Sequence, residues 1–265
     1  MRRRFCLLLS TIVVLGCCSL LRAEEWKKDF STSAHLVLRV ETNDADVRIS
    51  GWDGPNTQAR VITDGYQIGS SGVRVLDHQS GDQVELDVRV PQGFHIGWVR
   101  NRSVRVEINV PRQATLSLHT SDGNIHVDDV QGELRLNSGD GDIQVVRGAG
   151  PLKVETGDGN IRVQGQLRDL ELTSGDGNIE AEASAGSKIS SLWRLRTGDG
   201  NLSLRLPPEF AADLEAHTGD GRIHTDFPVS TMGEVRADRV RGKLNGGGPP
   251  LELQSGDGNI DLAKL

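Results

Sequence analysis

The feature that most constrains this chain is a repeat. Residues 116–181 read LSLHTSDGNIHV, LRLNSGDGDIQV, LKVETGDGNIRV and LELTSGDGNIEA in succession. The glycine after each aspartate, at Gly123, Gly141, Gly159 and Gly177, returns with a constant period of 18. Gly200, Gly221 and Gly258 continue the series at spacings of 23, 21 and 37, the last close to two periods with an unmarked rung between. A period of about 20 residues is the mark of stacked-repeat folds, in which one unit cannot bury its apolar face alone and its neighbours do so for it.

Within a unit the apolar residues alternate, as in Leu134 and Leu136 and then Ile143 and Val145, which is the period of a strand with one buried face. The same columns return as Leu152, Val154, Ile161 and Val163, and again as Leu170, Leu172 and Ile179. Between the two strands of each unit sits [ST]-G-D-G-[ND]. Its glycines are expected to supply positive φ, and its Asp and Asn to bond their own turn backbone.

Two all-β folds fit this pattern. A D-G pair between alternating apolar residues is a hairpin signal, which would pair Leu136 with Val145 in an antiparallel meander closing into a sandwich or barrel. The other fold is a single-stranded β-helix, or β-solenoid, with rungs of about 18 residues, each hydrogen-bonded to the rung above and below. The coil is preferred. A meander leaves an apolar sheet face uncovered, and no segment of helical period exists to cover it. At a strand spacing of about 4.8 Å the stacked rungs make a rod on the order of 40 Å long.

Residues 1–23 are expected to be a signal peptide. Arg2, Arg3 and Arg4 are followed by an apolar run over 5–21, and Leu21, Arg22 and Ala23 form a signal-peptidase site before Glu24. The rival is a lipoprotein signal, Val14-Leu15-Gly16-Cys17, with a lipid anchor on Cys17. Either way the chain is exported to the periplasm, the outer surface or the medium, with no membrane span in its mature part. All three cysteines, Cys6, Cys17 and Cys18, fall in this leader, so a chain cut after Ala23 has no thiol and no disulfide. The leader also holds four of the 30 basic residues and none of the 37 acidic ones, leaving a mature charge of −11. That balance argues against nucleic acid as a partner.

Residues 36–49, LVLRVETNDADVRI, match VETGDGNIRV at 154–163 and read as a degenerate first rung. From 59 to 110 the alternation persists without the turn motif, as an irregular β cap for the open end of the stack. The domain reading is therefore signal peptide 1–23, degenerate rung and cap 24–114, and regular solenoid 115–265. A short stretch at 209–215 fits one helical turn, and the last SGDGNI, close to the C-terminus, has little chain left to shield it.

The early VETNDADVRISGWDG, the entry VRVEINVPRQATLSLHTSDGNIHV and the serial SGDGNI units together resemble the bacterial putative-adhesin family of exported β-repeat domains of unknown function. The resemblance covers roughly 36–262. It implies a β-helical fold and an envelope or surface location, and it brings no catalytic residues.

In a coil, Asp122, Asp140, Asp158, Asp176, Asp199, Asp220 and Asp257 fall in one column, where carboxylates about 5 Å apart repel by roughly 1 kcal/mol in water. Either they splay into solvent or calcium sits between successive turns. The units lack the G-G-x-G-x-D spacing of calcium-binding nonapeptide coils. His119 with His126, and His217 with His224, flank two turns; they are surface histidines or a zinc pair with a neighbouring Asp. Trp52, Tyr66 and Trp98 cluster in the irregular N-terminal part, as cap packing or as a ligand patch. No G-x-S-x-G, H-E-x-x-H or P-loop occurs.

The sequence is thus expected to encode a non-enzymatic, exported cell-envelope solenoid for adhesion, scaffolding or sensing, its partner an envelope protein or glycan. The alternative is a calcium-dependent glycan binder or polysaccharide lyase.

Overall fold

The computed structural model of the protein describes residues 23–33, 35–91, 102–231 and 236–265. The leader, with Cys17 and the bulk of the expected signal peptide, lies outside the described residues, as does Trp98. Among the described residues all regular structure is strand. The N-terminal part holds β1 (Glu24–Phe30), β2 (Leu36–Thr42), β3 (Asp46–Trp52), β4 (Thr57–Asp64), β5 (Arg74–Ser80), β6 (Gln83–Arg89) and β7 (Ser103–Pro111). The regular repeats form β8 (Ala114–Thr120), β9 (Ile125–Asp128), β10 (Leu134–Ser138), β11 (Ile143–Thr156), β12 (Ile161–Ser174), β13 (Ile179–Ala183), β14 (Trp193–Thr197) and β15 (Leu202–Leu206). The remainder is β16 (Ala212–Thr218), β17 (Ile223–Thr225), β18 (Val229–Thr231), β19 (Arg239–Leu244), β20 (Pro250–Ser255) and β21 (Ile260–Lys264).

Each Asp-Gly turn separates two strands that join different ladders. The strands before the turns stack in parallel in the order β6, β2, β8, β10, the ends of β11 and β12, β14, β20 and β16. Those after the turns stack as β7, β3, β9, the starts of β11 and β12, β13, β15, β21 and β17. Leu134 pairs in register with Leu116 and Leu152, not Leu136 with Val145, so the fold is a β-solenoid and the hairpin meander is excluded.

The register puts like on like through the interior. One file runs Val84, Leu38, Leu116, Leu134, Leu152, Leu170, Trp193, Leu251, Leu214. Facing it, Val106, Val47, Ile125, Ile143, Ile161, Ile179, Leu202, Ile260 and Ile223 form another. All but Ile223 are buried, in one cluster continuous from cap to cap. Each such side chain contributes about 2 kcal/mol through removal from water, and no helix is needed to complete the core.

The order of rungs in the stack is not their order in the chain. The rung made by β2 and β3 comes first in sequence, yet it lies between the β6–β7 rung and the β8–β9 rung. At the other end the C-terminal rung, β20 and β21, slides between β14–β15 and β16–β17. The last SGDGNI is therefore covered on both sides, contrary to expectation. Nor do the described residues between Gly221 and Gly258 make an unmarked rung: they include β19, antiparallel to β16, and β18, antiparallel to β19. At the N-terminal end β5 pairs antiparallel with β6, β4 pairs antiparallel with β7, and β1 adds antiparallel to β4. Lys28 of β1 bonds Asp77 of β5, tying the two edge strands together.

At the start of the cap β1 is an edge strand, and its charged EEWKKDF suits exposure on its outer side. One local expectation is corrected. The stretch at 209–215 is a turn followed by β16, because Ala212, Leu214 and Ala216 alternate and are buried.

Candidate functional site

The turns form one long edge of the rod, and its construction starts with steric necessity. A Cβ on Gly141 would lie 2.1 Å from the Gly123 carbonyl oxygen of the preceding rung. On Gly159, Gly177 and Gly258 it would lie 2.0 Å from Gly141, Gly159 and Gly200. None of these turn glycines has a positive φ. The expected reason for glycine is thus replaced by another: successive turns approach so closely that only a hydrogen fits. Ala45 holds the same place in the degenerate rung, where Asn43 bonds both backbone groups of Val90.

The Ser or Thr that opens each turn is buried, and from Ser138 onward its hydroxyl joins two rungs, whereas Thr120 bonds only the Gly123 N–H of its own turn. Ser138 Oγ accepts the Gly141 N–H at 3.0 Å and donates to the Gly123 oxygen of the rung before, also at 3.0 Å. Ser174 and Ser255 repeat both bonds. The residue closing each turn forms a second ladder. The Asn160 amide bonds Asp142 Oδ1, Asn178 bonds Asn160, Asn201 bonds Asn178, and Asn259 bonds Asn201. These interlocked hydroxyl and Asx ladders go beyond the turn-local bonding expected from the sequence. Their signal is the [ST] and [ND] that bracket the turn in all copies but the one closed by Arg222, and their partners lie one rung away in the stack.

Asp122, Asp140, Asp158, Asp176, Asp199, Asp220 and Asp257 do line up one per rung, all exposed, and their carboxylates take no part in either ladder. Asp44 heads the same file. Partial burial raises its carboxyl above the usual range, and the neighbouring charges of Asp122 and Asp46 add to the effect. Among the described residues no three His, Cys, Asp or Glu side chains gather so as to hold a metal ion. A straight file places one carboxylate per turn and supplies no enclosing set.

The histidine pairs do not converge. His119 and His126 lie on opposite ladders, where they bond Asn137 and Gln144 of the next rung at 2.8 and 3.2 Å. His217 sits against the Asp238 carbonyl and His224 near Asp226. Outward columns of facing ladders point away from each other, which removes the zinc reading.

Two of the three aromatic patch residues, Trp52 and Tyr66, are held apart. Trp52 pairs with Pro111 at one end of β7, whereas Tyr66 follows Asp64, which pairs with Ser103 at the other. The extended chain between those ends spans roughly 27 Å. Trp52 donates its indole N–H to the Asn56 carbonyl at 2.9 Å, and Tyr66 packs on the core beneath the Arg102 guanidinium, 5.1 Å from its ring. Trp193 is fully buried in the leucine file, with its N–H on the Arg168 carbonyl and its ring 5.0 Å from Phe210.

Among solved structures, the chain is similar to a putative cell adhesion protein from Clostridium sporogenes (15% identity, covering 92% of this chain and 100% of that one, TM-score 0.44). It is similar also to a putative adhesin from Bacteroides fragilis (13% identity, 91% and 97% covered, TM-score 0.48). A third is a putative lipid binding protein from Parabacteroides distasonis (12% identity, 91% and 96% covered, TM-score 0.38). No curated protein matches it. The family comparison matches residues 64–263, from the end of β4 to the last strand, and on that match this chain belongs to the Toastrack DUF4097 family.

Proposed function

We propose that the protein is an exported, non-catalytic rod that presents regular flanks in the cell envelope, where it serves adhesion or scaffolding toward an envelope protein or glycan. The observation that carries this reading is the sealing of both ends. Open parallel ladders would template further pairing, whereas here antiparallel strands cover both ladders at the N-terminal end and the β16 ladder at the other, where Ile223 of β17 bonds the Ala237 carbonyl, in a stack of about 40 Å. What remains for contact is the flanks, whose charges are paired across rungs, as in Arg162 with Glu180 at 2.9 Å and Arg194 with Glu252 at 2.7 Å. Such pairs are worth little to stability and chiefly keep a large surface wet and regular.

The basic and apolar leader supports export, and no helix among the described residues is long and apolar enough to cross a membrane. Protease shaving and surface biotinylation of intact cells, with an attachment assay on a deletion strain, test the reading. The expected result is labelling of the chain from outside and a loss of attachment that the intact gene restores. A chain recovered only from the cytoplasm, or unchanged attachment, would sink it.

A further inference from the structure

Between the second ladder of one rung and the first ladder of the next, the chain crosses a narrow third side. Gln113 bridges Gln131, Gln131 bridges Ala149, and Ala149 pairs with Gln166. His35 precedes Leu36, which pairs with Ala114, so it heads the same file. Beside this file runs a shallow groove, formed by two hollows of 540 and 210 Å³ that share Pro151. Its floor is bare by necessity. Gly132 and Gly150 have φ of +142° and +121°, and a Cβ on either would meet the backbone oxygen of Ala114 or Gly132 at 2.2 or 2.5 Å. No side chain at those positions can fill the groove.

The amides along it are idle, unlike those elsewhere on the flanks. The amides of Asn137, Gln144 and Gln164 each bond a side chain on an adjacent rung, those of His119, His126 and Glu182. Gln113, Gln131 and Gln166 are exposed, and no other described residue bonds their side chains. Charges in the lower hollow cancel locally, through Arg135 with Glu133 and Lys153 with Glu171.

We propose that this groove binds a linear, uncharged polysaccharide laid parallel to the rod axis. The spacing selects the occupant. Apart from the gap at Ala149, the amides recur at one rung, about 4.8 Å, close to the rise per sugar of a straight, equatorially linked pyranose chain, whereas an extended peptide rises about 3.4 Å per residue and falls out of step. A primary amide both donates and accepts, so each amide-bearing rung can meet a sugar hydroxyl of either polarity. From His35 to Gln166 the file spans five rungs, about 19 Å. The proposal names a ligand for the display reading and rests on it only for where that ligand is met.

Calorimetric titration of the purified mature chain with cello- and chito-oligosaccharides of two to six sugars tests it, with maltohexaose as a coiled control and a Gly-Ser peptide as an extended one. Affinity is expected to rise severalfold with each added sugar and to level off at about five. Gln113→Ala with Gln131→Ala, both exposed, should weaken binding at least about tenfold while the melting temperature stays put. Arg162→Ala on another flank should bind as the parent does. No binding by either straight series, equal binding of the coiled sugar or the peptide, or affinity independent of length would overturn the proposal. Its failure is separable from that of the display reading, because a surface-exposed chain that ignores these sugars loses only the groove, and a cytoplasmic chain that binds them loses only the display.

Discussion

A methyl group has no place on the glycine that follows each turn aspartate, and this requirement is sharper than conformational freedom. Gly159→Ala puts a Cβ 2.0 Å from the Gly141 oxygen, so two rungs must part. It is expected to cost about 3 kcal/mol, read as a drop in the urea midpoint. Gly81→Ala, at φ +59° with nothing within 4 Å, should cost only about 1 kcal/mol. The sequence showed the glycines but suggested the wrong reason, because the atom that excludes a side chain belongs to the preceding rung, a full period away in the chain. Asp44 makes a prediction about pH. Its carboxyl is raised by burial and by Asp122 and Asp46, so the fold favours the protonated form; that stabilisation is present in acid and lost as pH rises through the raised value. Asp44→Asn should raise the melting temperature at neutral pH, and the gain should vanish in acid below the carboxylate range.

A rung is a unit that can be removed. Deleting residues 134–151 would bring Leu116 against Leu152 and Gly123 against Gly159, restoring like-on-like files without a change of register. The variant should keep its circular dichroism spectrum and shorten in solution scattering by about one strand spacing, ~4.8 Å; unfolding would contradict independent rungs. Elements of this regular kind were legible because alternation and the D-G mark coincide. β1 was not, since EEWKKDF shows no alternation and owes its conformation to β4. β16 was obscured by Pro207 and Pro208 just before it, which suggested a turn of helix although Ala212, Leu214 and Ala216 carried the strand period. The separation of Trp52 from Tyr66 was hidden for a related reason: nearness in sequence placed them together, while β4 carries the chain the length of the sheet between them.

For the molecule as a whole, the order of the stack could not be read from the chain. Every [ST]-G-D-G-[ND] rung presents the same ladder groups, so nothing in residues 251–264 announces that they belong between two earlier rungs. Removing 246–265 should therefore do more than trim an end. It strips β16 and β17 of their parallel neighbours and uncovers β14 and β15. Such a truncation should lose hydrogen-exchange protection throughout 193–244 while the rungs near β8 to β12 keep theirs; protection lost evenly, or nowhere, would argue against this interleaving.

Because each terminal rung is tucked one layer in from its end of the stack, the protein cannot be made longer by appending material at its tail. New layers have room only in the middle, between β9 and β14, where the repeat interval is kept most strictly. Growth by tandem duplication there would lengthen the rod and leave both closures as they are, so relatives of different reach should differ in how many central copies they carry and agree in how they finish.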